Sequence, residues 1–165
     1  MKDKAPNITD RDRELMQQAI DLSIDNIRRG GGPFGAVIAD ADGRVVGTGA
    51  NSVTLDNDPT AHAEVNAVRH ACRSLGSFKL TGCTVYSSCE PCPMCMSALY
   101  WAGVARLFYG NTKADAKAID FDDSFIYDQL ELPPSERAIP ATRMMQHEAI
   151  KAFEDWAASD TKTKY

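Results

Sequence analysis

Residues 34–50 have the sequence Phe-Gly-Ala-Val-Ile-Ala-Asp-Ala-Asp-Gly-Arg-Val-Val-Gly-Thr-Gly-Ala, and this stretch decides the fold prediction. Two runs rich in valine and small residues, 34–39 and 44–50, flank the Asp-Ala-Asp-Gly segment at 40–43. An Asp-Gly pair between two such runs favours a tight turn that joins antiparallel strands. We therefore predict that the central sheet begins with an antiparallel hairpin.

Amphipathic helices are predicted on both sides of this hairpin. The first begins after Thr9, a good N-cap, and ends at the glycines of residues 30–32. Its apolar positions recur at helical spacing: Met16, Ile20, Ile24 and Ile27. After a polar loop at 51–59, a second helical pattern starts at Thr60 and continues to about Leu75.

The remaining elements continue this alternation. A strand is predicted at 84–87, a helix that opens near Pro91, and a strand at 106–109, followed by short helices at 122–130 and 148–158. Strands that alternate with helices of this length indicate an α/β fold with helices on the faces of the sheet. No linker or repeat divides the chain, so we expect a single domain spanning 1–165.

Composition and charge exclude several classes of protein. The chain has 165 residues, 44% of them hydrophobic, with a formal net charge of -5 and a pI near 5.1. Because acidic proteins repel phosphates, nucleic acid is not expected as the main partner. The charged segment 1–12 and the lack of a long apolar run predict a soluble cytoplasmic protein with no membrane association. Five cysteines, an odd number, favour metal or redox chemistry over a disulfide framework.

The chemistry is concentrated in two short segments, His62-Ala-Glu64 and Pro91-Cys-Pro-Met-Cys95. His62, Cys92 and Cys95 supply three ligands of a tetrahedral zinc site, and the fourth position remains for water or hydroxide. At the start of a helix the free N–H groups and the positive dipole end stabilise thiolates. Glu64 lies two residues from His62, so an irregular helix entry is needed to bring it beside the metal as a proton carrier.

Other interpretations of these residues remain open at this stage. A Cys-x-x-Cys pair where a strand meets a helix is also typical of thioredoxin-like redox proteins, and zinc could be purely structural. The upstream His62 and Glu64 favour catalysis, because redox chemistry has no need of them. We expect Cys89 to be structural or close to the metal without binding it. We expect Cys72 and Cys83 to act as small hydrophobic residues of the core. We expect His70 and His147 to lie at the surface or to be packed, without binding metal.

Several longer segments carry a family resemblance. They are 32–38 (Gly-Pro-Phe-Gly-Ala-Val-Ile), 57–64 (Asn-Asp-Pro-Thr-Ala-His-Ala-Glu), 88–95 (Ser-Cys-Glu-Pro-Cys-Pro-Met-Cys), 100–102 (Tyr-Trp-Ala) and 121–127 (Phe-Asp-Asp-Ser-Phe-Ile-Tyr). With them the chain resembles the cytidine deaminase superfamily, whose zinc nucleobase deaminases carry H-x-E and P-C-x-x-C motifs. The first three segments are shared with tRNA adenosine deaminases, whereas the last resembles the bacterial guanine deaminases.

The resemblance implies a fold, an activity and an assembly. The implied fold is a three-layer α/β/α cytidine deaminase-like fold with a central mixed sheet, in a homodimer with one Zn²⁺ per subunit. The implied reaction is hydrolysis of guanine, a small-molecule purine base, to xanthine and ammonia. The C-terminal tail, about 159–165, would cross to the partner subunit. Deamination of adenosine in tRNA, or of cytosine, a pterin or a triazine, is the alternative within the same fold.

Individual roles follow from the same resemblance. Glu64 and Asp123 would be the catalytic carboxylates. The substrate-binding set would comprise Asn51, Phe34, the backbone near Ala63, Trp101 and the final residue, Tyr165.

Each of these roles has an ordinary structural alternative. Asn51 could end a strand by bonding backbone groups, and Asp123 could cap a helix. Phe34 and Trp101 would ordinarily be core residues, and for Trp101 we expect the core role to dominate.

Overall fold

The computed structural model describes residues 7–165, and the first six residues of the charged N-terminal segment lie outside the described residues. The elements, in chain order, are α1 (Asp10–Arg28), β1 (Gly35–Ala39), β2 (Val45–Ala50), α2 (Val53–Asp56), α3 (Ala63–Leu75), β3 (Thr84–Cys89), α4 (Pro93–Ala102), β4 (Arg106–Asn111), α5 (Lys113–Lys117), α6 (Ser124–Glu131), a 3-10 helix (Pro134–Glu136) and α7 (Gln146–Ala158). They form two compact units that meet in sequence between Asp123 and Ser124.

The first unit contains a four-stranded mixed sheet with the strand order β2-β1-β3-β4. The predicted hairpin is confirmed, since β1 pairs antiparallel with β2 and Gly35 lies opposite Ala50. β1 also pairs antiparallel with β3, while β3 and β4 run parallel. A central mixed sheet, as predicted, is therefore present.

Helices cover both faces of this sheet. Because side chains alternate along a strand, Val37 and Ala39 of β1 pack in one apolar cluster with Leu15 and Ala19 of α1. Other residues of β1 pack on the opposite face, in a cluster that includes residues of α3 and α4: Ala36, Ile38, Ala67, Ala71 and Leu99. These two cores confirm the predicted three-layer α/β/α fold.

Two glycines of β2 bring α3 into backbone contact with the sheet. A Cβ atom on Gly47 would lie 2.6 Å from the carbonyl oxygen of Ala67. A Cβ atom on Gly49 would lie 2.5 Å from the backbone nitrogen of Ala67 and would also overlap the carbonyl of Ala63. Real Cβ atoms do not approach so closely, so this strand and helix can pack at this distance only with glycine at both positions.

The other main helix, α1, is fixed at its first turn. Thr9 and Asp12 form a reciprocal capping box, which satisfies N–H groups that the helix leaves free. Asp12 is buried, and its Oδ1 accepts a 2.6 Å hydrogen bond from the hydroxyl of Tyr86 in β3. Hydrogen bonds from Thr9 and then Tyr86 lower the pKa of Asp12 to about 2. The start of α1 is thus tied to the middle of the sheet.

The start of α3 differs from the prediction. The helix begins at Ala63 and not at Thr60. The carboxylate of Asp58 accepts hydrogen bonds from both the backbone N–H and the hydroxyl of Thr60, at 2.8 and 2.7 Å. This side-chain turn competes with helix formation and delays the first helical turn until after His62.

The two helices predicted in the last third of the chain lie close to their predicted positions. α6 and α7 lie within two residues of the predicted 122–130 and 148–158. Two short helices, α2 and α5, were not predicted.

Among residues 7–165, no helix combines the length and apolar character needed to cross a bilayer. The expectation of a single domain stays a prediction.

Candidate functional site

The three predicted metal ligands meet where two helices begin. His62 and Cys92 are the N-cap residues of α3 and α4, both with extended backbone, and Cys95 is buried in the first turn of α4. The Nδ1 atom of His62 lies 3.5 Å from the sulfur of Cys92 and 3.5 Å from the sulfur of Cys95. Two positive helix ends therefore face one cluster of metal-binding side chains.

The spacing of these atoms fits a zinc ion. Zinc bonds thiolate sulfur at about 2.3 Å and imidazole nitrogen at about 2.0–2.1 Å, so tetrahedral angles place such atoms about 3.6 Å apart. The observed separations of 3.5 Å match this value, and all three ligand atoms lie within 4.8 Å of one another. Three ligands of this kind leave one coordination position for water, as catalytic zinc sites require.

The protonation of the cluster also suits a cation. A hydrogen bond from Cys95 is the main cause that lowers the pKa of Cys92, and His62 contributes further. The hydrogen bond to Cys92 and burial both raise the pKa of Cys95. His62, Cys92 and Cys95 would hold a divalent cation with both sulfurs as thiolates, and binding would therefore release protons.

Glu64 lies beside this cluster and is 6% exposed. It occupies the first turn of α3, directly after the irregular entry that His62 makes, as the sequence predicted. Burial is the main cause that raises the pKa of its carboxyl group. A buried carboxyl group with a raised pKa next to a metal site is suited to accept and return protons near neutral pH.

Sequence reasoning missed Ser87, which holds Glu64 in place. The Oγ atom of Ser87 donates a 3.0 Å hydrogen bond to Oε1 of Glu64. Ser87 is 2% exposed and belongs to β3, all of whose residues are buried. The available signal was a pair of serines, 87 and 88, in a buried strand that leads into the cysteine segment, because buried hydroxyls need partners.

Asn51 and Phe34 lie together at the ends of β2 and β1. The backbone N–H of Asn51 donates to the carbonyl of Phe34 at 3.1 Å. Oδ1 of Asn51 accepts a long hydrogen bond of 3.4 Å from Val53, the local backbone contact expected of an asparagine at a strand end. The half-buried ring of Phe34 packs edge-on against Phe121, with ring centres 4.9 Å apart. An amide and an aromatic face thus lie side by side.

Two further predicted residues belong to the same unit. Ala63 is buried at the first position of α3, where the backbone N–H has no acceptor within the helix. Asp123 is half-buried, and burial is the main cause that raises its pKa; the negative charge of Cys92 raises it further. Asp123 therefore lies close enough to Cys92 for their charges to interact.

The expectation of core packing is wrong for Trp101. Its side chain is 65% exposed, whereas Leu99 two residues earlier is buried. Two residues correspond to about 200° around a helix, so the two side chains point in nearly opposite directions. Tyr165 belongs to the second unit, and the substrate-binding roles of both aromatic residues stay predictions.

The other cysteines and histidines behave as expected. Cys83 and Cys89 are buried, and Cys72 packs against the apolar core. The thiol of Cys89 donates to the carbonyl of Thr112 at 3.7 Å, and burial raises its pKa to about 11, which suits a structural residue. His70 lies at the surface, where Nδ1 accepts from the backbone of Thr48.

A comparison with known families agrees with this geometry. The family model for the cytidine and deoxycytidylate deaminase zinc-binding region matches residues 9–111. This range includes His62, Cys92 and Cys95. The chain therefore belongs to the cytidine and deoxycytidylate deaminase family, and the predicted resemblance is confirmed. Membership of a zinc-binding deaminase family favours a catalytic metal over a redox cysteine pair.

Within that family the chain is similar to one enzyme over nearly its whole length. It is 45% identical to the guanine deaminase of Bacillus subtilis (strain 168) over 152 residues, which are 92% of this chain and 97% of that protein. The X-ray structure of guanine deaminase from Bacillus subtilis superimposes with a TM-score of 0.90, 44% identity, and coverage of 93% of this chain and 98% of that chain. A tRNA-specific adenosine deaminase of Haemophilus influenzae is 32% identical over 126 residues, 73% of each protein.

Proposed function

We propose that the protein is a zinc-dependent guanine deaminase, which hydrolyses guanine to xanthine and ammonia. The observation that carries the proposal is the cluster of His62, Cys92 and Cys95 at zinc-binding distances, with buried Glu64 beside it. The guanine preference rests on the similarity to guanine deaminase, which extends over 92% of the chain and therefore beyond the zinc-binding region.

In this proposal His62, Cys92 and Cys95 hold the zinc ion. When bound, zinc lowers the pKa of a coordinated water to about 7 and so supplies a hydroxide nucleophile near neutral pH. The backbone of His62 and of Cys92 is held in place because each is followed directly by a helix that packs in the core cluster shared with the sheet.

Glu64 moves the protons of the reaction. Ser87 holds Oε1 of Glu64, which orients the carboxylate so that Oε2 can carry two protons in turn. The first passes from the attacking water to a ring nitrogen, and the second passes from the hydroxyl of the adduct to the amine, which leaves as ammonia. Burial keeps bulk water away from this carboxylate and raises its pKa toward the working pH. Asp123, also with a raised pKa, is the second carboxylate and lies near the leaving amine.

The purine is held by an amide, a ring and a backbone donor. Asn51 hydrogen-bonds the base, Phe34 packs on it, and the free N–H at Ala63 meets its polar edge. The edge-on contact with Phe121 supports this arrangement because it fixes the plane of the Phe34 ring. We assign Tyr165 and Trp101 to the same substrate-binding set.

The assembly and location complete the proposal. The protein is a homodimer of single-domain subunits, and the tail at about 159–165 is exchanged with the partner so that its final tyrosine helps to close the site. A cytoplasmic location is supported by the five cysteines, all of which are free thiols, as is usual in reducing compartments.

Deamination of adenosine in tRNA is the alternative, because a tRNA-specific adenosine deaminase is among the relatives. Proteins that bind a phosphate backbone do so through lysine and arginine, whose contacts release counterions. A formal net charge of -5 opposes such binding. A salt titration separates the two: RNA binding that weakens steeply as salt rises would favour the tRNA substrate.

The decisive experiment is ammonia release by the zinc-loaded protein from guanine, guanosine, adenine, cytosine, cytidine and an adenosine-containing tRNA stem-loop. Release from guanine, with little from the others, is the expected result. Preference for another compound would overturn the substrate but keep the zinc chemistry. Absence of release across the panel would overturn the enzyme assignment.

A further inference from the structure

One buried amide at the end of α1 holds both segments that carry the proposed purine contacts. Asn26 is 5% exposed, and its Nδ2 atom donates to the carbonyl of Gly32 at 2.8 Å and to that of Asn51 at 2.7 Å. The first acceptor lies six residues away along the chain and the second 25 residues away. A single side chain thus joins the end of a helix to two separate loops.

The segments around Asn26 leave little freedom for movement. The backbone N–H of Gly31 donates back to the carbonyl of Asn26 at 3.0 Å, and that of Phe34 donates to the carbonyl of Gly32 at 2.8 Å. A Cβ atom on Gly31 would lie 2.6 Å from the carbonyl oxygen of Asn51 and would overlap the amide of Asn26. The backbone around Gly31 is therefore closely packed against Asn26 and Asn51.

We propose that Asn26 is a positioning residue for recognition of the purine base. It fixes the backbone that presents Phe34 and Asn51, and through them it sets the affinity for substrate. The inference rests on the proposed function for its substrate, but the contacts of Asn26 are independent of the metal cluster. Asn26 is therefore assigned to binding and not to the chemical step.

The residue type fits this role. The amide group of asparagine carries two N–H donors on one nitrogen, and here both point at carbonyl oxygens. Leucine has a similar size and no donor. Aspartate has the same shape, but when ionised it presents only acceptors to the two carbonyls. Each replacement removes both hydrogen bonds by a different route.

The test compares Asn26→Leu and Asn26→Asp with a matched control, Ser23→Ala. Ser23 lies one turn earlier in α1, is also buried, and bonds only within its helix, to the carbonyl of Ile20 at 2.7 Å. All three proteins are loaded with zinc, their zinc content is measured, and kcat and KM for guanine are determined at pH 8. Steady-state ammonia release provides both constants.

Both Asn26 variants are expected to raise KM about tenfold, with kcat within about twofold and zinc content unchanged. Ser23→Ala is expected to leave KM unchanged. If the leucine variant does not fold, the aspartate variant decides. A KM within about twofold of the unmodified protein, a loss confined to kcat, or failure of both variants to fold while Ser23→Ala folds would overturn the proposal.

The role of Asn26 and the proposed substrate can be tested separately. The substrate panel with the unmodified protein tests guanine deamination first. If another aminated heterocycle is the better substrate, the guanine assignment fails, and the same comparison of KM values with that compound still decides the role of Asn26.

Discussion

Replacement of Ser87 by alanine tests the proposed proton carrier without altering a metal ligand. The hydroxyl of Ser87 donates to Oε1 of Glu64 at 3.0 Å, and the two residues are 2% and 6% exposed, so water cannot readily take its place. A hydrogen bond to a charged group contributes about 1.5–3 kcal/mol. If the loss of this bond misplaces the carboxylate so that its full value is missing only in the transition state, kcat falls about 10- to 150-fold.

The matched control is Ser88→Ala on the same strand. Ser88 is similarly buried, but its Oγ accepts from the backbone N–H of Gly35 at 3.0 Å and so serves the fold and not Glu64. Both variants should lose stability in thermal unfolding and retain stoichiometric zinc. Only Ser87→Ala should lose kcat. Equal losses of kcat in the two variants, or a change below about twofold for Ser87→Ala, would refute the reasoning.

Three other changes are expected to have distinct effects. Glu64→Gln should lower turnover by at least about 100-fold while metal analysis still finds one zinc per chain, since the carboxylate moves protons and binds no metal. Asp12→Asn should lower the free energy of unfolding by about 1–2 kcal/mol in urea titrations at pH 7, allowing for solvent screening. Because the folded state lowers the pKa of Asp12 from 3.8 to about 2, its contribution is present above pH 3.8 and lost as the pH falls toward 2, so the difference between the two proteins should shrink below pH 4. Removal of Tyr165 should lower kcat/KM more than it lowers the melting temperature, and unchanged kcat/KM would exclude a role for the tail.

The candidate metal ligands could be proposed from the sequence because the chemistry of a metal site admits few residue types. Cys92 and Cys95 are spaced for one helical turn, and His62 with Glu64 forms a pattern that no common structural motif needs. The hairpin could be predicted for a similar reason, since Asp-Gly at a tight turn is a local signal. Within each segment the informative residues are close together in the sequence, although the two metal-binding segments are 30 residues apart.

The supporting residues could not be predicted because their partners are distant along the chain. Ser87 bonds Glu64 across 23 residues, and Asn26 bonds a backbone carbonyl across 25. A backbone carbonyl carries no mark in the sequence, so no local pattern shows which asparagine will reach it. The short helix α5 is different, because Thr112 and Asp115 form a capping box that is readable from the sequence.

Trp101 was placed wrongly because α4 has apolar residues on every side. Its ten residues begin with one proline, Pro93, which marks the start of the helix, and the following Met-Cys-Met-Ser-Ala-Leu-Tyr-Trp-Ala shows no clear polar face. Where the apolar pattern has no helical period, it predicts a helix but not which face is buried.

The glycine contact between β2 and α3 has a consequence for protein engineering. At Gly47 and Gly49 the distance between β2 and α3 is set by backbone atoms and not by side chains. This distance is therefore the shortest that the strand and the helix can reach. Changes of side-chain volume elsewhere in the core cannot draw the strand and the helix closer together. The apolar interior could thus be redesigned for heat tolerance, with smaller side chains included, without the helix that begins beside His62 and carries Glu64 moving closer to the sheet.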